Sequence, residues 1–259
     1  MPEQLSRLKE QVYKDPRPKE HFDRFHERSR TREPDAVYEA VRIVTTLYAL
    51  AAFRARGIGA DLVPESGPVI LAPNHFSFMD HFFTGAFTRR RVRFMAKSQL
   101  FKPPMQWIYS HGGVFPVRRG HHDEEAFITA EGILERGGAI VMYCEGGRSR
   151  SGVVGEGGAK PGIGRLALET GAPIVPVAIH GSSKVRNWKK LQFPKVTVRY
   201  GESFRYERVE DPDRGQQLSV AESILGRIKS LYEELERDGA RTVAARVRAE
   251  RHATRVAAT

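Results

Sequence analysis

The stretch APNHFSFMD (72–80) decides how this chain is read. It carries His75 and Asp80 five positions apart and follows the apolar residues PVIL (68–71). The run PVILAP (68–73) reads as a buried strand, and a helix begins at about Ser77. In sheets built from alternating strands and helices, reactive groups collect beyond the carboxyl ends of the strands. An imidazole placed there, with a carboxylate a short turn later, makes a poised base. The carboxylate fixes the tautomer and stabilises the imidazolium, while the other ring nitrogen takes a proton. Such a base contributes roughly 10²–10⁴ in rate. Ser77 with Asp80 three residues on is also a helix N-cap pattern. The two readings are compatible, because a cap that fixes the helix also fixes Asp80.

Working outward, strand patterns recur at 92–97, 113–119, 139–143, 174–179 and 195–200. Pro116 keeps the second of these from a central position. The last alternates as a half-buried strand should. Helical spacing appears over 123–136 and 162–170, and an interrupted apolar helix over 99–110. A long amphipathic helix is marked by Leu218, Ala221, Leu225, Ile228, Tyr232 and Leu235. The alternation predicts an α/β fold, a central mixed β-sheet flanked by helices, with an N-terminal helical segment that contacts a membrane. Three parts are expected: that segment over 1–57, the α/β domain over 58–240, and a basic tail over 241–259, either a solvated helix or frayed. Within the first part, 5–13 reads as an exposed helix and 35–56 as a second one stopped by Gly57.

The chain has 259 residues, 40% of them hydrophobic, which suffices for a sizeable core. Its formal net charge of +11 points to an anionic partner: nucleic acid, a lipid surface or a phosphorylated substrate. Cys144 is the single cysteine, so no intramolecular disulfide forms. The polar start MPEQLSRLKE lacks the apolar stretch of a signal peptide, and the expected location is cytoplasmic. The nearest candidate, the uncharged apolar run IVTTLYALAAF (43–53), falls short of the roughly 20 residues of a membrane span. It suits a core helix or one lying in a membrane interface. Arg89, Arg90, Arg91 and Arg93 form one basic cluster. Lys184, Arg186, Lys189 and Lys190 form another around Trp188.

Other stretches fit an anionic substrate. Arg118 and Arg119 end a strand, where an arginine holds phosphate through two parallel hydrogen bonds. In YCEGGRSRSG (143–152), Gly146 and Gly147 permit close approach of a ligand to the backbone. Glu145 is placed to bind a hydroxyl and Arg148 a second anionic group, with Lys160 a further cation near a helix start. Cys144 follows an apolar run and is expected to be buried and inert. HHDEE (121–125) reads as an acid-rich helix start rather than a metal site, and no metal is expected.

In combination the chain resembles the PlsC-like 1-acylglycerol-3-phosphate acyltransferases. Residues 74–80 fit that family's NHxSxxD block, with Asn74, Ser77 and Asp80 in place. GGVFPVR (112–118) fits its second block, with proline where an aliphatic residue is more usual. EGGRS (145–149) resembles its EGTRS block, with Gly147 for threonine. APIVPV (172–177), including Pro176, fits its last strand. The resemblance spans about 60–205. It implies transfer of an acyl chain from coenzyme A or acyl carrier protein to a lysophospholipid hydroxyl, with no bound cofactor. His75 and Asp80 would be catalytic, Arg118 would hold the acceptor phosphate, and Glu145 and Gly146 would lie near the glycerol. Arg148 and Lys160 would be further anion contacts, while the missing threonine hydroxyl removes any side-chain contact at Gly147. It also implies a peripheral enzyme on the cytoplasmic leaflet. Rival acceptors are glycerol 3-phosphate, another lysophospholipid or a glycolipid. A nucleic-acid-binding module is the rival class; no nucleic acid is expected, because the charges are scattered and no recognition motif appears.

Overall fold

The computed structural model describes residues 14–120 and 123–257. One seven-stranded sheet organises them, with spatial order β1-β7-β6-β2-β5-β3-β4. The strands are β1 (Arg56–Ile58), β2 (Val69–Pro73), β3 (Arg93–Lys97), β4 (Val114–Val117), β5 (Ala139–Val141), β6 (Ile174–His180) and β7 (Thr197–Tyr200). The five from β6 to β4 are parallel. β7 runs antiparallel to β6 and carries β1 parallel to itself, so the sheet is mixed.

All five residues of β2 are buried, as a parallel strand covered on both faces requires. Its side chains alternate between two cores. Ile70 and Ala72 pack with Ile133, Leu166 and Ile224 of α5 (Glu124–Glu135), α6 (Pro161–Thr170) and α7 (Arg214–Ala257). Val69 and Leu71 pack with Ala49, Phe53 and Phe83 of α2 (Ala36–Phe53) and α3 (Asp80–Ala86). The remaining helices, α1 (Asp23–Thr31) and α4 (Met105–His111), lie against β4.

Pro116 sits on the edge strand β4, where a missing N–H costs least. The strand 195–200 is not half-buried: all four residues of β7 are covered. One side joins the core, and on the other Arg199 faces Glu234 of α7. The helix expected over 35–56 ends earlier, with Arg54 left-handed at its C-cap (φ 44°). Residues 56–58 then join the sheet, so β1 runs across the 57/58 boundary. Residues 241–257 belong to α7, which breaks at Gly239 (φ 76°, ψ 151°). Val243 and Val247 bury against Ile58 and Ala178, so this stretch packs on the sheet. The segment 5–13 and His121 and His122 lie outside the described residues.

Helix α2 starts at Asp35, whose side chain accepts the Val37 N–H at 3.0 Å. It is not a core helix. Tyr38, Ala49 and Phe53 are buried, but Ile43, Val44, Leu47, Tyr48 and Leu50 are exposed. Among the described residues it is the one helix long and apolar enough, by length and composition, to cross a membrane.

Most of the first basic cluster, and Arg186 of the second, are held by the fold. Arg90 donates to the carbonyls of Pro64, Gly67 and Gly137, Arg91 pairs with Glu39, and buried Arg93 pairs with Glu33. Arg186 is buried too.

Helices α6 and α7 approach so closely that a β-carbon on Gly164 would lie 1.8 Å from the Gln217 carbonyl oxygen. Gly164→Ala is expected to cost about 1–3 kcal/mol through overpacking, read as a lower Tm. Gly226→Ala on α7, with nothing within 4 Å, is expected to raise Tm.

Candidate active site

Parallel pairing brings the carboxyl ends of neighbouring strands to one edge. His75 follows β2, residues 143–148 follow β5, Lys97 closes β3 and Arg119 follows β4, in that spatial order. Residues far apart in sequence thus share one face of the molecule.

His75 Nδ1 lies 2.9 Å from Asp80 Oδ2. A carboxylate only accepts, so Nδ1 carries the proton and Nε2 is left to receive one. Asp80 is fully buried. It also accepts the Phe76 N–H at 2.5 Å, the Ser77 N–H at 2.7 Å and the Ser77 hydroxyl at 2.9 Å. Ser77 Oγ in turn accepts the Met79 N–H at 3.1 Å. The capping arrangement and the poised base are one structure. Asn74 fastens this turn to β6: its amide accepts from the Ile179 N–H at 2.7 Å and donates to the Ile179 carbonyl at 3.3 Å. Pro176 lies within β6 opposite Ala72, and its carbonyl accepts the Gly201 N–H.

Burial lowers the His75 pKa below the usual imidazole range, and the hydrogen bond to Asp80 only partly opposes this. Burial alone would raise Asp80. The bond from His75 and those from the Ser77 and Phe76 amides outweigh it and hold the carboxyl below its ordinary value. His75 is therefore neutral and able to accept a proton near neutral pH. Its ring, 14% exposed in the side chain, stacks on Tyr143 with centroids 4.0 Å apart and planes 21° apart.

Two cations act on this base, and a third stands near them. Arg148 and Arg119 both depress the His75 pKa, and both act on Lys97, whose ammonium is itself lowered mainly by burial. A β-carbon on Gly147 would lie 3.9 Å from Arg119 Nη1, so this arginine faces the glycine loop. Arg118 faces elsewhere. Its guanidinium donates to the Arg17 carbonyl at 3.0 Å and its main-chain N–H to Asp123 at 2.5 Å. β4 ends at Val117 and a turn begins at Arg119, so the two arginines leave the strand in different directions. The structure brings Arg119 to His75, not Arg118.

Glu145 is buried, and Oε2 accepts the Gly155 N–H at 3.1 Å while Oε1 has no partner among the described residues. Burial raises its carboxyl to about 7. Gly146 is left-handed (φ 64°), which turns the chain after Glu145. The Lys160 ammonium donates to the Gly157 carbonyl at 3.1 Å within its own loop. Cys144 is fully buried and its thiol is pushed well above the usual range, so it supplies no thiolate. Among the described residues no His, Cys, Asp and Glu group is arranged to hold a metal ion.

Residues 54–180 match the acyltransferase family model. That stretch, just under half of the chain, is similar to the acyltransferase family and holds β1 to β6. Relatives of the chain include the chloroplastic 1-acyl-sn-glycerol-3-phosphate acyltransferase BAT2 of Brassica napus, 28% identical over 131 residues, which are 49% of this chain and 37% of that protein. The human 1-acyl-sn-glycerol-3-phosphate acyltransferase beta is 29% identical over 138 residues, 52% of this chain and 49% of that one. The chain thus matches about half or less of the length of these relatives. The fold is shared with the crystal structure of the 1-acyl-sn-glycerophosphate acyltransferase PlsC of Thermotoga maritima. The TM-score is 0.59 at 21% identity, covering 84% of this chain and 89% of that one.

The sequence reading chose Arg118 over Arg119 and passed over Lys97 and Tyr143. Lys97 carries a visible signal, since it closes an apolar strand on the same edge as His75. Tyr143 has none until β5 is set beside β2.

The raised Glu145 carboxyl fixes a pH signature. Between about 4.5 and about 7 the folded state binds more protons than the unfolded one, so this group's contribution to stability falls as pH rises through that window. Glu145→Gln is expected to melt at a higher temperature than the parent above pH 7. The difference should vanish toward pH 4.5, as followed by thermal unfolding across pH.

Proposed function

We propose that this chain moves an acyl group from a thioester, on coenzyme A or acyl carrier protein, to the free hydroxyl of a phosphate-bearing lysophospholipid, foremost 1-acyl-sn-glycerol 3-phosphate. The observation that carries this reading is the 2.9 Å His75–Asp80 bond beside the cations Arg119 and Arg148, which Lys97 adjoins. His75 Nε2 takes the hydroxyl proton as the oxygen attacks the thioester carbonyl. Asp80 stabilises the imidazolium that results. When the tetrahedral intermediate collapses, the C–S bond breaks and the imidazolium proton goes to the departing sulfur, giving ester and free thiol. A thioester is already activated, so this route needs no covalent enzyme intermediate, in keeping with the inert Cys144. Two arginines at the base, with Lys97 near them, favour a dianionic phosphomonoester over a zwitterionic headgroup.

The membrane reading rests on exposed apolar side chains. Helix α2 presents Ile43, Val44, Leu47 and Leu50, and Met105 and Trp107 of α4 are exposed as well. Phe78, 46% exposed, lies inside the turn that joins His75 to Asp80. A chain lying on a lipid surface through these residues would present its base where acyl chains reside.

Thiol release with acyl-CoA or acyl carrier protein and 1-acyl-sn-glycerol 3-phosphate tests the chemistry. His75→Ala is expected to lose roughly 10²–10⁴ in kcat. The acid limb of kcat/KM should have its midpoint below 6.5, because burial lowers His75. Arg119→Ala should raise KM for phosphate-bearing acceptors more than Arg118→Ala does. A folded His75→Ala variant with full turnover would refute the proposal. In a separate measurement, Leu47→Asp together with Val44→Asp should abolish sedimentation with phospholipid vesicles. Turnover of a short-chain acceptor dissolved below its micelle concentration should persist.

A further inference from the structure

The loop after β5 carries Arg148, and its far end is held by buried Val154 and by the Gly155 N–H on Glu145. Residues 146–158 include six glycines, at 146, 147, 152, 155, 157 and 158. Glycine supplies no side chain to pack and the most backbone freedom to lose. Glu156 ties part of the loop to itself, accepting from the Ser149 hydroxyl and the Arg150 and Ser151 N–H groups, each at 3.0 Å. Those bonds do not connect the loop to the catalytic turn.

Arg186 makes that connection. It lies in the 3-10 segment Ser182–Lys190 and is 8% exposed. Its Nε donates to the Phe76 carbonyl at 2.6 Å, its Nη1 to the Arg150 carbonyl at 2.8 Å, and its Nη2 to the Ser149 carbonyl. Phe76 is the residue after His75, and Ser149 is the residue after Arg148. The Ser149 N–H also reaches the His75 carbonyl at 2.9 Å, closing a ring of bonds between the two loops. A buried cation must recover its lost hydration. Here three carbonyl dipoles do so, with Asp80 adding a favourable charge nearby. Only a planar guanidinium spreads donors to three carbonyls from two loops at once; an ammonium has neither the reach nor the geometry.

We propose that Arg186 is a positioning residue for acyl transfer: it clamps the turn bearing His75 to the loop bearing Arg148, and so sets the distance between the base and the acceptor's phosphate. This rests on the acyltransfer reading above. The full chain is compared with Arg186→Ala and Arg186→Lys, at a temperature well below all three melting midpoints. In Arg186→Ala, kcat is expected to fall by roughly 10²-fold, the loss typical of a displaced catalytic group. Arg186→Lys should recover little of it. Guanidinium chloride below its unfolding range should restore turnover to Arg186→Ala and not to the parent. Hydrogen exchange read by mass spectrometry should quicken over 146–155 while the strands keep their protection. Parental kcat in Arg186→Ala with only a lower Tm would overturn the proposal, as would unchanged exchange over that loop. A parent that transfers no acyl group would instead overturn the acyltransfer reading, and the exchange result would still decide whether Arg186 holds the loop.

Discussion

The architecture of this site depends on one buried carboxylate. Asp80 accepts from the His75 ring, two successive amides and the Ser77 hydroxyl, and it has no contact with solvent. An isolated carboxylate in such a place would take up a proton; with four donors it stays ionised. Its charge fixes the imidazole tautomer, and its bonds fix the turn that presents the imidazole. Local folding and the proposed catalysis share this anchor, so a chain without the acid would hold neither.

The parallel sheet supplies the second constraint. Because β2, β5, β3 and β4 run side by side in the same direction, the segments leaving them emerge on one edge. That edge receives His75, the glycine loop, Lys97 and Arg119 from four distant parts of the chain. Much of the remaining positive charge is spent elsewhere. Arg90, Arg93 and Arg186 are drawn inward to satisfy carbonyls or acids, so the surplus of +11 overstates the free cationic surface. The arginines proposed to meet the acceptor, Arg119 and Arg148, act on the base at the sheet edge.

Helix α2 shows why length and apolarity alone do not settle a helix's place. A core helix and an interfacial helix have the same composition over 43–53, and only the neighbours distinguish them. Here one stripe packs on α3 and the opposite stripe is bare. At the other end of the chain, the Arg/Ala-rich stretch appears solvated in sequence, yet Val243 and Val247 spaced four apart seat it on β1 and β6. Two valines among many arginines are a faint pattern, which becomes decisive only when the sheet offers Ile58 and Ala178 to meet them.

By itself the sequence determined the order of six of the seven strands, β2 to β7, and of the helices α2 to α7, but not β1 or α1; it also determined the coupling of His75 to Asp80 and the edge position implied by Pro116. Each follows from local rules: residue periodicity, capping geometry within a few positions, and the missing N–H of proline. Tertiary structure alone decided which of two adjacent arginines faces the base, that Arg186 is a buried clamp, and that Lys97 and Tyr143 join the site. The direction of a side chain beyond a strand end depends on the exact register of the last extended residue. The partners of a buried cation depend on which loops the sheet places next to one another. Neither quantity is encoded in spacing along the chain, since both arise from contacts between segments tens of residues apart.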